Sequence, residues 1–176
     1  MNSRRVLQGR SDFALNEAGI AQAREVAEKL RGVRFDRVCS SPLRRAIQTA
    51  ELLAPGAEIV IDERLIEMDY GPYEGADLHN LPPEILTFFS DFVHNPAPAG
   101  MEQLAAVVER VGAFLEELRG SGENILISTH AIAMKGILEY LTPESHGAYW
   151  SKFIGNCAVY TAQNQNGTFT IPSELI

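Results

Sequence analysis

Three kinds of side chain in this sequence have the chemistry to handle a phosphoryl group: an arginine at a helix mouth, a histidine at a strand end, and carboxylates in a glycine-containing loop. The first lies in Ser40-Ser41-Pro42-Leu43-Arg44-Arg45-Ala46-Ile47-Gln48-Thr49-Ala50. Ser41 is a good helix N-cap, and Pro42 suits the first helical position, where a missing N–H costs nothing. Leu43, Ala46, Ile47 and Ala50 then share one face, which predicts a helix over 42–53 with Arg45 near its N-terminal mouth. Helix N-termini favour anions, and a guanidinium there can grip phosphate through two parallel hydrogen bonds. His130 directly follows the apolar run Ile125-Leu126-Ile127-Ser128-Thr129, so its imidazole should project from a strand end. A reference pKa of about 6.5 would let it donate a hydrogen bond or carry charge near neutrality. Glu67, Asp69 and Glu74 lie in or beside the loop of Gly71, Pro72 and Gly75. A carboxyl there becomes a proton donor if a nearby phosphate dianion raises its pKa.

The elements that must position these groups follow from periodicity and punctuation. Asn16 reads as an N-cap, and Ile20, Ala23, Val26, Ala27 and Leu30 recur at helical spacing until Gly32. Residues 35–40 and 58–62 read as strands, the second after the Pro55-Gly56 turn, and 63–80 as loop. Pro82-Pro83 opens a helix through Ile85, Leu86, Phe89 and Val93, which Pro96-Ala97-Pro98 closes. A long amphipathic helix is predicted over 101–118, a strand over 124–128 and a helix over 132–141. The end of the chain reads as a hairpin, 157–161 with 168–171, turning at Asn164-Gln165-Asn166-Gly167. Helices alternating with short, continuously apolar strands predict an α/β three-layer sandwich, a mainly parallel sheet with helices on both faces. Ligands of such sheets gather beyond the carboxyl ends of the strands. Arg45 and His130 both lie just past such ends.

Composition bounds the partners. The 176 residues, 45% hydrophobic and 22% charged, suit a single domain over 1–176. A net charge of -8 argues against nucleic acid, which needs a basic surface. Arg4, Arg5 and Arg10, with no acid among the first ten residues, predict a local positive excess able to hold an anion. Cys39 and Cys157 sit in apolar, strand-like runs and read as reduced core thiols of a cytoplasmic protein. No apolar run approaches the roughly 18 residues of a membrane span, so no membrane partner is expected. His79, His94 and His146 show no metal-ligand clustering, so no metal is expected.

Ser41 to Ala50, read as Ser-x-Leu-x-Arg-Ala-x-x-Thr-Ala, resembles the second motif of the histidine phosphatase superfamily, the phosphoglycerate-mutase-like proteins. Gln8-Gly9-Arg10-Ser11-Asp12 with Leu15-Asn16 and Gly19 is similar to an earlier stretch of that family. Leu65-Ile66-Glu67 through Gly71 and Glu74-Gly75 is similar to its Leu-x-Glu-x-x-x-Gly-x-x-Glu-Gly, and Ile125 to His130 to its late strand and histidine. The resemblance implies a phosphoglycerate-mutase-like fold, phosphoryl transfer through a phosphohistidine, no cofactor or metal, and a small phosphorylated metabolite as partner. It assigns Arg45 to phosphate binding, Glu67 (as general acid) and His130 to catalysis, and Asn2, Gln8, Gly9 and Ala131 to substrate contact. Ala131 stands where the family usually has glycine.

The family's opening Arg-His-Gly, whose histidine is the nucleophile, would fall upstream of residue 1, and its first strand, interior to the sheet, with it. The chain as numbered is therefore expected to lack the nucleophile. Its sheet should be weakened at that place, or refilled by swapping or a displaced segment. Family mutases carry a longer insertion after the Glu67 loop. Here the short apolar segment 76–99 reads as a lid and favours a phosphatase of small phosphate monoesters. The alternatives are a phosphoglycerate mutase and a non-catalytic phosphate-binding relative.

Overall fold

The computed structural model describes residues 5–176. In chain order the main elements are α1 (Glu17–Lys29), β1 (Arg37–Ser40), α2 (Arg44–Leu53), β2 (Ile59–Ile61), α3 (Pro83–Ser90), α4 (Leu104–Leu118), β3 (Ile125–Ser128) and α5 (Ala131–Leu141). Four two-residue strands follow: β4 (Tyr160–Thr161), β5 (Asn164–Gln165), β6 (Thr168–Phe169) and β7 (Ser173–Glu174). No helix among the described residues is long and apolar enough to cross a membrane.

β1 is the central strand, with β2 and β3 parallel on its two sides. Val38 lies opposite Ile59 and Leu126, and Ser40 opposite Ile61 and Ser128. Side chains alternate across a strand, so Cys39, Ile125 and Ile127 share a face. They pack against Val111, Phe114 and Leu115 of α4 and Ala133 and Ile137 of α5. On the opposite face the Ser128 hydroxyl donates to the Ala46 carbonyl of α2 at 2.8 Å, and α1 packs on α2. Helices thus cover both faces of a parallel sheet, as the alternation of elements requires.

Three local expectations differ from the structure. Ser41 does not cap α2, which begins at Arg44; the first free N–H is met by Asp12, whose carboxylate accepts from Arg44 N at 2.7 Å. A carboxylate from a distant loop displaces the local hydroxyl, which is engaged elsewhere. α3 stops at Ser90 short of Val93, because the Asp91 carboxylate accepts from Val93 N at 3.0 Å and His94 N at 3.1 Å. Such a turn competes with the helical ladder. The terminal hairpin does turn at Asn166-Gly167, both with positive φ, as two-residue turns prefer. Its 157–161 arm, however, pairs through Thr161 with Ser173 and Tyr160 with Glu174 rather than with 168–171. Pro172 has no N–H to give, and pairing resumes beyond it. Cys157, the first residue of that arm, has φ 56 and is half-buried, whereas Cys39 is buried in β1; both are free thiols.

Segment 76–99 is built on aromatics. Ile85 and Phe88 of α3 are buried with Met68, Tyr70, Val107, Ile132 and Trp150, and Phe89 and Phe92 pack against them. Lys135 of α5, also buried, donates to the Trp150 carbonyl at 2.7 Å and stands 5.0 Å from the Phe92 ring centre. The stem of that lysine joins α5 to the aromatic cluster.

β3 pairs with β1 alone among the described strands. Its other edge faces a cavity of about 1310 Å³, lined by Leu126 and Ile127 on one side and Ala158, Val159 and Tyr160 on the other.

Candidate active site

Gln8, Arg45, Glu67, His130 and Ala131 also line that cavity. Arg45, the second residue of α2, is fastened by its guanidinium. Nη1 donates to the Ser11 carbonyl and Nη2 to the Gly9 carbonyl, each at 2.7 Å. Burial pulls its pKa below the usual guanidinium value, and the fields of Glu67 and Glu74 oppose that shift. Its immediate acceptors are neutral carbonyls.

The 9–11 loop is itself held by Glu74. The carboxylate accepts from Gly9 N at 2.9 and 3.1 Å, Ser11 N at 3.1 Å and Ser11 Oγ at 2.5 Å. Leu7 N also donates to the Ala76 carbonyl at 2.8 Å, and Gly75 N to the Leu7 carbonyl at 2.9 Å. Gly9 must be glycine for this approach. A Cβ there would collide with the Met68 carbonyl and lie 2.7 Å from Glu74 Oε2 and the Tyr70 ring. Glu74 was one of three loop acids in the sequence. Its partner lies 65 residues away, and nothing in local spacing announces that pairing.

His130 is the N-cap residue of α5. Its Nε2 lies 2.7 Å from Ser41 Oγ. Burial, and then the positive fields of Arg45 and Arg110, push its pKa down to about 3. The downward shift favours a neutral imidazole near neutral pH, against the expectation that it could carry charge there. A serine within reach of a histidine is also the geometry of a nucleophile and its base. Ser41 is fully buried, however, with no surface open to a substrate.

Glu67 is 4% exposed. Its carboxylate accepts from Met68 N at 2.9 Å, Ala133 N at 3.1 Å and Ile132 N at 3.2 Å. It therefore closes the N-terminal turn of α5, whose first N–H groups have no partner within the helix. Burial raises its pKa, against the pull of those three amides and of Arg45, and the net direction is upward. Asp69, by contrast, is turned outward, accepting from Gly71 N at 2.7 Å and from Arg10 at 3.2 Å.

Of the N-terminal arginines, the described Arg5 and Arg10 do not supply the pocket's charge. Arg10 pairs with Asp69 at 3.2 Å and Glu102 at 3.3 Å, while Arg5 is exposed beside His79. Arg110 is likewise paired with Glu102, at 2.8 Å. Arg4 and Asn2 lie outside the described residues. Gln8 and Ala131 line the cavity, and the Gly9 carbonyl accepts from Arg45 beside it.

A family model described as the histidine phosphatase superfamily (branch 1) matches residues 1–173. The chain belongs to that superfamily. Among its relatives, phosphoserine phosphatase 1 of Hydrogenobacter thermophilus is 30% identical over 151 residues, which cover 82% of this chain and 72% of that protein. Phosphoglycerate mutase-like protein 4 of Arabidopsis thaliana is 30% identical over 154 residues, 82% of this chain and 67% of the relative. Among solved structures, a phosphoserine phosphatase variant from Entamoeba histolytica in complex with phosphoserine superposes with a TM-score of 0.83 at 26% identity. That match covers 97% of this chain and 88% of the other. The α/β architecture is thus that of the phosphoglycerate-mutase-like phosphatases.

Proposed function

We propose that this chain is the phosphate-binding body of a histidine phosphatase that hydrolyses small phosphate monoesters. Arg45 carries the reading. A phosphoryl group needs donors for its three oxygens and compensation for its charge. Arg45 meets both needs, since carbonyl dipoles orient it and no carboxylate among the described residues forms an ion pair with it. Arg10 and Arg110 spend their charge on Glu102. His130 adds a neutral hydrogen-bonding group and Gln8 an amide to the same cavity.

In this reading the attacking imidazole comes from a histidine upstream of Met1 in a longer polypeptide. Its nitrogen bonds to phosphorus as the bond to the leaving oxygen breaks. Glu67, whose pKa burial raises, is the group that gives a proton to that oxygen, and water then cleaves the N–P bond to release phosphate as its proton returns to Glu67. Support comes from the cavity beside β3. That cavity is lined by Arg45, Glu67 and His130 together.

The phosphoserine and phosphoglycerate in the relatives' names pair a phosphate monoester with a carboxylate, so small phosphorylated acids head the substrate panel. Segment 76–99 has no lysine or arginine. A lid closing over a bisphosphate would need such cations, which favours hydrolysis over mutase chemistry.

The test is to express the chain with its native upstream residues and supply phosphate monoesters. Phosphate release with an acid-labile phosphohistidine is expected. Orthophosphate binding without turnover would replace this reading with a non-catalytic phosphate binder. Exchange between phosphoglycerates without phosphate release would replace it with a mutase.

A further inference from the structure

A neutral imidazole has one donor and one acceptor nitrogen. Which nitrogen of His130 holds the proton therefore decides whether it can donate to a phosphoryl oxygen. Ser41 bears on that choice. Its backbone N–H donates to the Ser128 carbonyl at 3.0 Å, which fixes it between the ends of β1 and β3. Its side chain is fully buried, and Oγ has two neighbours: Leu43 N at 3.3 Å, which can only donate, and His130 Nε2 at 2.7 Å. A hydroxyl has a single proton to place. Were Nε2 protonated, Ser41 Oγ would accept twice, and its own proton would have no acceptor among the described residues. Buried donors are rarely left so. Were Nε2 bare, the proton runs from Oγ to Nε2 and every group is satisfied.

We propose that Ser41 is a positioning residue that donates to Nε2 of His130, locking the imidazole in its Nδ1–H tautomer so that this N–H serves as a neutral donor to the substrate's phosphoryl oxygen. Nδ1 has no hydrogen-bond partner among the described residues, and His130 lines the cavity with Arg45. The choice of ligand rests on the phosphatase reading; the tautomer does not. The two serines at the end of β1 then do different work. Ser40 Oγ donates to the Ser41 carbonyl at 2.9 Å and holds the turn, while Ser41 sets the histidine.

The experiment is long-range proton–nitrogen correlation on the full chain labelled with [15N]histidine, where protonated and bare ring nitrogens resonate in separate ranges. The His130 signals are assigned by their loss in His130→Asn. The expected pattern is a protonated Nδ1 and a bare Nε2, shifting toward the Nε2–H form in Ser41→Ala while the other three histidines keep their signals. A wild-type Nε2–H pattern, or an unchanged pattern in Ser41→Ala, overturns the assignment. Orthophosphate titration separates the two readings. Ser41→Ala should bind about tenfold more weakly, as expected for losing an aligned hydrogen bond to a charged ligand. Equal affinity in Ser41→Ala would overturn the role in binding. A wild type that binds no orthophosphate would overturn the phosphatase reading and leave the tautomer assignment standing.

Discussion

The 9–11 loop and segment 76–99 lie on either side of the Glu67–Glu74 stretch, and opposite forces hold them. The loop is fastened by directional bonds: Glu74 takes its amides and Arg45 takes its carbonyls, mostly between 2.5 and 3.1 Å. The segment is fastened by contact, with the rings of Phe88, Phe89 and Phe92 packed tilted or edge-on at centroid distances of 4.8 to 5.6 Å, beside Met68 and Tyr70. Directional bonds set where atoms point and add little net stability, because water competes for each of them. Apolar burial stabilises in proportion to area and tolerates small shifts. Geometry should therefore be lost by mutating the loop, and stability by mutating the segment.

The sharpest break of that contrast is Arg45→Ala. Losing a doubly bonded guanidinium should weaken orthophosphate binding by at least about a hundredfold, read by calorimetry, with a small change in melting temperature. A large fall in stability at unchanged affinity would erase the contrast. Phe88→Ala should do the reverse, costing about 3–5 kcal/mol in urea unfolding as a buried aromatic is removed. The folded fraction should keep its orthophosphate affinity within about twofold, since no polar contact to the site is lost.

Gly9→Ala tests the junction between the two regions. The added methyl meets the Met68 carbonyl, Glu74 and the Tyr70 ring, so the loop must move off Arg45. About a tenfold loss of affinity is expected from misplaced charge-assisted bonds. Titration offers a smaller effect. Burial holds the folded pKa of His130 down at about 3, against an ordinary value of 6.5. The unfolded chain therefore takes up a proton that the folded chain refuses. Stability is complete above about pH 6.5 and falls as the pH drops toward about 3. His130→Asn should flatten that part of the stability curve, while an unchanged slope would mean the imidazole is not held neutral. The smallest effect belongs to Leu86, which is 54% exposed on α3. Leu86→Ser should change stability by no more than about 0.5 kcal/mol.

Much of the scaffold was legible because it is written in local patterns. Asn16 caps α1, its side chain accepting from Gly19 N at 2.9 Å, as its place before an apolar periodicity predicts. The alternation of short apolar strands and amphipathic helices determined the parallel sheet and the strand ends where Arg45 and His130 lie. The ordered motifs around Arg45, Glu67 and His130 determined the superfamily. Where expectation failed, a distant group outbid a local one. Asp12 replaced Ser41 at the head of α2, Glu102 took the charge of Arg10, and Pro172 redirected the terminal pairing. The protonation of His130 belongs to the same class. Its neutrality comes from burial and from the fields of Arg45 and Arg110, neither of which is its neighbour in sequence. By itself the sequence determined the elements, their order and the chemical groups available, because propensity and period act over a few residues. Only the tertiary structure decided which of those groups touch, which stay charged and which arginine keeps its charge for a ligand, because hydrogen bonds and desolvation depend on distances that folding alone creates.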